Sequence, residues 1–396
     1  MTNRQLFLQH VAQTSPFPIG LEIVKAAGIN MWDTEGKEYI DLISGFCVCN
    51  IGHSNAAVVQ AVKDQVDKYM HLIVYGEFIE APQVAYAKML ALHLPPALNS
   101  VYFTNSGAEA TEGAMKLCKR VTGRTKIIAC NKAYHGSTQG ALSIMGSEYW
   151  RNAFRPLLPH VYHFDYNSFE LINAIDRQTA CVVIETIQAE SGITKPDETW
   201  LKALRKKCDE LCVLLVFDEI QAGFGRTGSL WAFEQYNVVP DVLLLGKALG
   251  GGMPLGAFIA DVRLMNTLTV NPVLGHITTF GGHPVSCAAG LAAMNELLNN
   301  NWISEVKAKE TLFIKHLQHP KIKAVRSAGL WMSIQFDSFE TCKSIIDLCI
   351  EKGLVTDWFL FAPDCLRIAP PLIMTNEEIE MVCEVVVGCM DQDTNE

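Results

Sequence analysis

The sequence predicts an α/β protein with a large domain around a mostly parallel central sheet and a smaller α+β domain built from both ends of the chain. Between about residues 55 and 300, short apolar segments alternate with segments of helical period. This alternation is typical of parallel strands that are covered by helices on both faces. We therefore expect residues 55–300 to form the large domain, and residues 1–54 and 301–396 to form the small domain.

The composition is that of an ordinary globular protein and argues against several classes of function. The chain of 396 residues is 49% hydrophobic and 19% charged, with a formal net charge of −10, so no overall basic field would attract nucleic acid or an anionic membrane. No window approaches the roughly 18 apolar residues of a spanning helix, and the first residues contain no apolar secretory core. We expect a cytoplasmic protein that binds neither nucleic acid nor membrane.

Thirteen cysteines are scattered through the chain and do not have the spacing of a disulfide framework. The close pairs, Cys47 with Cys49 and Cys208 with Cys212, lack the second Cys or His pair that a zinc site requires. We therefore expect mostly buried thiols in a reducing compartment and no metal site.

The first elements along the chain predict a small antiparallel unit. Residues 1–20 are polar and contain two prolines, which indicates an arm lying on the surface. Three strand candidates follow, at residues 23–25, 30–32 and 37–42, with a turn at residues 33–36. Apolar residues at helical spacing then begin the large domain.

A strand at residues 101–103 ends in a tight loop and the start of a helix, with Ser106, Gly107 and Ala108 at the junction. Free backbone N–H groups at a helix N-terminus favour an anion, and a glycine allows the ligand to come close. The junction therefore predicts a phosphate site, although a serine before a helix is also a common cap.

Two further strands lead to aromatic or acidic side chains. The strand at residues 127–130 is followed by Tyr134 and His135, where an aromatic ring can stack on a flat ligand or simply belong to the core. The strand at residues 181–185 leads to Glu190, and this position taken alone predicts an exposed loop acid.

Asp218 and Lys247 are the most informative residues. Asp218 directly follows the apolar run 211–217, where an unpaired carboxylate is costly, so it should pair with a cationic group. Lys247 follows the apolar strand 243–245, so its amine should lie over the crevice where open α/β sheets bind ligands, at the same sheet edge as Asp218. Desolvation there would lower its pKa and make it a nucleophile toward carbonyls. The alternative is an exposed lysine at a strand end.

The segments after Lys247 belong first to the large domain and then to the small domain. The large domain ends with a strand at residues 256–260, a glycine-rich loop at 276–284 and a helix at 287–298. The small domain then continues with a strand at residues 329–336, a helix at 339–352 and a segment at 365–371 that contains Arg367.

Together these features match the requirements of pyridoxal 5′-phosphate (PLP). This cofactor offers an aldehyde for Lys247, a phosphate for the helix start and a flat ring for Tyr134. Its pyridine nitrogen must stay protonated for the ring to act as an electron sink, and a carboxylate such as Asp218 meets that requirement.

Five motifs, in this order along the chain, resemble those of class III aminotransferases, the group of acetylornithine, ornithine and 4-aminobutyrate aminotransferases. They occupy residues 104–110, 134–138, 218–228, 247–254 and 278–284. The resemblance covers about residues 20–380 and implies the fold-type I of PLP-dependent transferases. It implies transfer of the ω-amino group of ornithine, acetylornithine, 4-aminobutyrate or a similar amino acid to 2-oxoglutarate through a PLP/PMP ping-pong cycle.

The resemblance also implies roles for individual residues toward the cofactor. Lys247 resembles the Schiff-base lysine and proton shuttle, Asp218 the partner of the pyridine nitrogen, and Gln221 the donor to the ring hydroxyl. Tyr134 takes the ring-stacking place, with His135 beside it. The residues similar to the phosphate contacts are Ser106, Gly107 and Ala108, joined by Thr279 from a neighbouring subunit. A homodimer with shared active sites is therefore expected.

Toward the substrate, Arg367 is similar to the arginine that grips an α-carboxylate, and Glu190 to the acid that pairs with it in the other half-reaction. Ser137 departs from the pattern, because biosynthetic and 4-aminobutyrate members commonly carry an arginine there for a second carboxylate. A hydroxyl cannot form such a bidentate pair, so ω-amino donors other than acetylornithine become possible.

Other reactions remain open at this point. The same residues would also support a PLP-dependent aminomutase, decarboxylase or racemase, or a transaminase that uses pyruvate as its acceptor. A phosphate-binding regulatory protein with a structural lysine is the alternative outside the enzymes.

Overall fold

The structure, a computed structural model, describes residues 1–393, and the strands within that range form three sheets. The strands are β1 (Ile23–Ala27), β2 (Asn30–Asp33), β3 (Glu38–Asp41), β4 (Ser100–Thr104), β5 (Lys126–Cys130), β6 (Val161–Phe164), β7 (Thr179–Glu185), β8 (Leu214–Asp218), β9 (Val242–Leu245), β10 (Gly256–Ala260), β11 (Ala324–Ser327), β12 (Met332–Gln335), β13 (Leu354–Val355), β14 (Asp357–Phe359) and β15 (Ala362–Ile368).

The helices lie mainly between these strands. They are α1 (Asn3–His10), α2 (Ser44–Cys47), α3 (Ala56–Lys68), α4 (Ala81–Leu92), α5 (Gly107–Thr122), α6 (Gln139–Ser143), α7 (Glu148–Arg151), α8 (Phe169–Asn173), α9 (Glu198–Leu211), α10 (Val262–Met265), α11 (Pro284–Asn299), α12 (Trp302–His316), α13 (Phe339–Glu351) and α14 (Asn376–Gln392). No helix of residues 1–393 has both the length and the apolar composition needed to cross a membrane.

The central sheet has seven strands in the order β4-β10-β9-β8-β7-β5-β6. Strands β5 to β9 run parallel to one another, whereas β10 is antiparallel to both of its neighbours, β9 and β4. The predicted mostly parallel sheet is confirmed. The strand predicted at residues 256–260 is present as β10, but its antiparallel direction and the strand β6 were not predicted.

Both faces of the central sheet are buried, as a parallel sheet requires. Successive residues of a strand point to opposite faces, so Leu215 and Leu243 belong to one apolar cluster while Val216 and Leu244 belong to another. Helix α5 packs in the second cluster, and α3, α4 and α11 contribute to the first. The polar groups that end these strands can therefore reach solvent or a ligand only at the sheet edge.

The two four-stranded sheets bring both ends of the chain together. Strand β13 from the C-terminal part pairs with β3, with Leu354 opposite Ile40, and so completes the sheet β1-β2-β3-β13. The other sheet has the order β11-β12-β15-β14. This arrangement agrees with the expected small unit from both termini, while the boundaries after residues 54 and 300 stay a prediction.

Two local expectations differ from the structure. The expected N-terminal arm contains helix α1, which begins with a capping box between Thr2 and Gln5 and buries none of its residues. The apolar run 211–217 is a strand only from Leu214, because Leu211 ends α9 and Cys212 takes a left-handed conformation with φ of 51°. Hydrophobicity alone did not separate the end of the helix from the start of the strand.

Candidate active site

The carboxyl ends of β7, β8 and β9 lie side by side at one edge of the central sheet. Glu185 pairs in register with Asp218, and Asp218 pairs with Leu244. Lys247 follows two residues after the end of β9. The prediction that Asp218 and Lys247 lie at the same sheet edge is therefore confirmed.

Lys247 begins a short 3-10 turn, Lys247–Gly250, and has a positive φ of 50°. A left-handed conformation at a residue other than glycine stores strain, which persists only where the surrounding structure holds it. Burial lowers the pKa of the lysine by disfavouring its charged form, and the negative groups of Glu190 and Asp218 oppose this effect only in part. The arrangement increases the share of neutral amine at neutral pH.

Asp218 is 4% exposed and has two hydrogen-bond partners. Its Oδ2 lies 2.7 Å from Nδ1 of His135, and its Oδ1 accepts from the backbone N–H of Ile220 at 2.9 Å. In the described structure the side-chain partner of Asp218 is therefore the imidazole of His135, whereas pairing with a cationic group stays a prediction. Nε2 of that ring is buried and has no hydrogen-bond partner among the described residues.

The predicted phosphate junction is the N-terminus of α5. Ser106 caps the helix, its Oγ accepting from the N–H of Glu109 at 3.2 Å, and Gly107 and Ala108 come first, where backbone N–H groups lack intrahelical acceptors. Gly136 packs directly against this turn, since a Cβ there would lie 2.6 Å from the Cβ of Ala108. The backbone at the junction is therefore tightly fixed.

A cavity of about 250 Å³ lies over this sheet edge and brings most of the predicted residues together. Tyr134 and Ser137 form one wall, with their hydroxyl oxygens 3.2 Å apart. The lining includes Ser106, Gly107, Ala108, Tyr134, His135, Ser137, Glu185, Asp218, Gln221 and Lys247. Thr279 is exposed and does not belong to the lining.

Arg367 and Glu190 form a buried ion pair beside this cavity. Nη1 of Arg367 donates to Oε1 of Glu190 at 3.1 Å, and Nη2 donates to Oε2 at 2.9 Å. Glu190 is 7% exposed, so the expectation of an exposed loop acid was wrong, and the pairing implied by the resemblance is present. Burial would raise the pKa of Glu190, but the charge and hydrogen bonds of Arg367 lower it overall.

Three residues at the site were missed by the sequence analysis. Glu185 lines the cavity, and its pKa is raised well above the usual value by burial and by the charge of Asp218. Asp357 accepts a hydrogen bond from Nε of Arg367 at 3.0 Å. Phe46 lies in the turn α2, with its ring 5.4 Å from the guanidinium carbon of Arg367. The sequence pattern could have identified Glu185, because an acid directly follows the apolar residues 180–184, just as Asp218 follows an apolar run.

Arg226 forms hydrogen bonds to both the N-terminal and the C-terminal parts of the chain. Its NH1 donates to the carbonyls of Leu330 and Pro370 at 2.7 and 2.6 Å, and its NH2 donates to Ser44 Oγ and Asn50 Oδ1 at 3.0 and 2.6 Å. Ser44 begins the turn that carries Phe46, and Pro370 follows the strand that carries Arg367. Arg226 therefore links the two segments that enclose the Arg367 guanidinium.

The model of the family described as aminotransferase class-III matches residues 11–390 of the chain. The chain belongs to the class III aminotransferases. This aminotransferase is 39% identical over 376 residues to an acetylornithine aminotransferase of Methanopyrus kandleri, with 94% of each protein covered. The resemblance inferred from the five motifs is confirmed.

Solved structures of other aminotransferases have the same fold as this chain. The ornithine aminotransferase of Toxoplasma gondii matches with a TM-score of 0.90 and 28% identity, covering 98% of this chain and 93% of that one. An adenosylmethionine-8-amino-7-oxononanoate aminotransferase of Methanocaldococcus jannaschii matches with a TM-score of 0.91 and 26% identity, covering 99% of both. The predicted fold-type I is confirmed.

Class III aminotransferases depend on PLP, and the donor groups around the cavity of this aminotransferase fit that cofactor. The cavity offers a lysine amine with a lowered pKa, a carboxylate and the N-terminus of α5, whose free N–H groups suit an anion. Two buried polar atoms on it, Nε2 of His135 and Oε1 of Gln221, have no partner among the described residues. Since buried polar atoms are normally paired, such atoms at a cavity indicate a place for a polar ligand or for water.

Proposed function

We propose that this aminotransferase moves the ω-amino group of acetylornithine, ornithine or a similar amino acid to 2-oxoglutarate. The observation that carries the proposal is the pair of Arg367 and Glu190 beside Lys247. A guanidinium edge that already binds a carboxylate in bidentate fashion can accept the α-carboxylate of an oxo acid in its place. While Glu190 covers that edge, the site suits a donor that presents its terminal amine. The similarity to acetylornithine and ornithine aminotransferases supports the same class of donor.

Each residue has a distinct part in this proposal. Bound PLP supplies an electron sink for the electron pair released at the substrate carbon. The side chain of Asp218, oriented by His135, would hold the pyridine nitrogen protonated. The amine of Lys247, made partly neutral by burial, would take a proton from the substrate carbon and return it at the second reacting carbon, a step typically worth about 10²–10⁴-fold.

The remaining cofactor contacts would orient the ring. We assign the phosphate to Ser106, Gly107 and Ala108, ring stacking to Tyr134 and the ring hydroxyl to Gln221. The Nε2 of Gln221 also lies 3.3 Å from Oε1 of Glu190, so the same amide would contact both the cofactor and the acid that covers Arg367.

The experiment that tests this function is a panel of amino donors, scored by the loss of the visible absorbance of the cofactor. We expect ω-amino donors to react and 2-oxoglutarate to restore the absorbance. Lys247→Ala should remove turnover, and turnover at the wild-type rate would contradict the proposal. Product formation without any oxo acid would point to a mutase, racemase or decarboxylase, because only amino transfer needs an acceptor.

The identity of the donor depends on the wall formed by Ser137. Its hydroxyl lies 3.2 Å from that of Tyr134 and cannot pair with a carboxylate as a guanidinium does. We propose that the donor is held without a second bidentate carboxylate contact at this position. Ser137→Arg should then improve the use of N-acetylornithine relative to simple amines, and an unchanged ratio would contradict this part of the proposal.

We also propose a homodimer in which Thr279 completes the phosphate site of the other subunit. Thr279 is exposed and is flanked by the exposed apolar residues Ile277 and Phe280, with Val273 and Leu274 nearby in sequence. A cluster of exposed apolar side chains marks an interaction surface. This arrangement supports a second copy as the occupant.

Mixed dimers test the shared site. Lys247→Ala and Thr279→Ala would each damage both sites of their own homodimer. In a mixed dimer, one site would combine an intact Lys247 with an intact Thr279 only if the threonine acts on the partner. Mixing and refolding the two variants should therefore restore tight PLP retention and turnover to part of the sites. No restoration would mean that Thr279 acts within its own subunit or not at all.

The compartment is the last part of the proposal. All thirteen cysteines are unpaired in the described structure. Free thiols in such number are usual where the surroundings are reducing, which supports work in the cytoplasm. Fractionation of cells that express the full chain would test it, and recovery outside the cytoplasm would contradict it.

A further inference from the structure

All three nitrogens of the Arg367 guanidinium donate hydrogen bonds. Nη1 and Nη2 donate to the two carboxylate oxygens of Glu190, and Nη2 also donates to the carbonyl of Trp358 at 3.3 Å. Nε donates to Oδ1 of Asp357 at 3.0 Å. The ring of Phe359 lies 4.2 Å from the guanidinium carbon. One cation therefore has two carboxylate partners, one on its outer edge and one on its Nε side.

The two acids are held in different ways. Asp357 lies in β14 directly opposite Arg367 of β15, so the pair is a cross-strand neighbour contact fixed by the backbone ladder. Glu190 instead lies in the loop after β7, and its carboxylate is held by side chains and by the backbone N–H of Leu360 at 2.9 Å. The backbone of Asp357 is held opposite Arg367 by the strand pair, so its short side chain stays within reach of Nε, whereas the longer side chain of Glu190 reaches Arg367 from a loop.

From this difference we infer that Asp357 is a positioning residue, which keeps the guanidinium of Arg367 in place when a substrate carboxylate replaces Glu190. The inference rests on the proposed function, in which an oxo acid takes the outer edge of Arg367. With Nε anchored and one face against Phe359, the guanidinium presents the same two N–H groups to Glu190 and to the incoming carboxylate. Without Asp357 the arginine could rotate with either acid, and binding of the oxo acid would include the cost of ordering it.

The prediction is specific to one half of the reaction. Asp357→Ala should weaken binding of the acceptor by roughly tenfold or more, the scale expected when one charge-assisted hydrogen bond is lost. The donor half-reaction should change by less than about threefold, because the donor does not use the freed edge of Arg367 in the proposed cycle. Asp357→Asn keeps an oxygen that accepts from Nε, so it should restore most of the acceptor binding.

The experiment measures each half-reaction separately with the holoenzyme, by the absorbance of the cofactor in single turnovers. Calorimetric titration with glutarate, an unreactive dicarboxylate, adds a binding constant that does not depend on turnover. The matched control is Asp364→Ala, since Asp364 also lies on β15 and accepts from Gln335 at 2.7 Å without a hydrogen bond to Arg367. If the alanine variant does not fold, Asp357→Ser, whose shorter side chain cannot reach Nε, replaces it.

The outcomes separate the inference from the proposed function. A selective loss of 2-oxoglutarate and glutarate binding, restored by asparagine, supports the inference. An equal loss in both half-reactions, no loss in either, or an asparagine variant as weak as the alanine variant would overturn it. If the wild-type protein does not use an oxo acid at all, the proposed function fails instead, whatever the variants do.

Discussion

The replacement of Glu190 by glutamine is the sharpest test of the pair that covers Arg367. The Glu190 carboxylate accepts two hydrogen bonds from Arg367, at 3.1 and 2.9 Å, and two more from Leu360 and Gln221, at 2.9 and 3.3 Å. An amide of the same shape keeps one acceptor oxygen but turns a donor toward the remaining N–H groups. At least one charge-assisted hydrogen bond to the guanidinium is therefore lost.

The size of the effect follows from that lost bond. A hydrogen bond to a charged group contributes about 1.5–3 kcal/mol, and 1.4 kcal/mol corresponds to about a tenfold change in affinity. An oxo acid that competes with residue 190 for Arg367 should bind Glu190→Gln at least about tenfold more tightly. An ω-amino donor, which presents its terminal amine to the site, should bind more weakly, because its half-reaction then takes place beside an uncovered cation.

The assay follows the absorbance of the cofactor at increasing concentrations of 2-oxoglutarate, and separately of an ω-amino donor. Glu198→Gln is the matched control, since Glu198 forms only an exposed ion pair with Lys202 at 2.6 Å and such pairs contribute little. If the acceptor binds the folded Glu190→Gln protein no better than the wild type, Glu190 does not compete for Arg367 and the reasoning is refuted.

Three further predictions concern stability and cofactor retention. Burial raises the pKa of Glu219 from 4.5 to about 7, so its contribution to stability is present below pH 4.5 and is lost as the pH rises through 7. Between pH 5 and pH 8, the free energy of urea unfolding should fall by up to about 3 kcal/mol more in the wild type than in Glu219→Gln. An equal fall in both proteins would contradict this. Arg226→Met removes four hydrogen bonds made by one buried cation and should cost about 4 kcal/mol in the same assay at one pH; a loss below about 1 kcal/mol would count against its linking role. Gly136→Ala places a Cβ 2.6 Å from that of Ala108 at a φ of 123°, so PLP should dissociate faster from this variant on dialysis. The control is Gly123→Ala, which has open space around the added Cβ and should retain PLP like the wild type.

Local patterns were sufficient to predict the sheet edge that carries Asp218 and Lys247. Each residue follows an uninterrupted apolar strand, and parallel strands in one sheet bring their carboxyl ends to the same edge. The prediction rested on burial of the strands, which the structure has at every residue of β9 and at every residue of β8 except the partly buried Leu214.

Local sequence patterns could not predict contacts between segments that lie far apart in the chain. Glu190 and Arg367 are 177 positions apart, and only the resemblance to a family joined them before the structure was available. Asp357 has no local pattern that separates it from an ordinary strand-edge acid. Its importance follows from the register that places it opposite Arg367, and register between β14 and β15 depends on packing of the whole small sheet.

Glu185 is a second acid at the sheet edge that carries Asp218, directly opposite it on the neighbouring strand. Its carboxylate accepts from the N–H groups of Tyr134 and Ala189 at 3.2 and 2.8 Å, and burial together with the charge of Asp218 raises its pKa well above the usual value. The raised pKa favours the neutral form of Glu185, so we expect Asp218, with its His135 partner, to be the acid that serves the pyridine nitrogen. Glu185→Gln should therefore keep activity within about tenfold, since it loses little beyond the longer hydrogen bond, whereas Asp218→Asn should lose roughly a hundredfold or more. Steady-state rates of both variants at saturating PLP test this, and a larger loss in Glu185→Gln would mean that Glu185 carries the charge the ring requires.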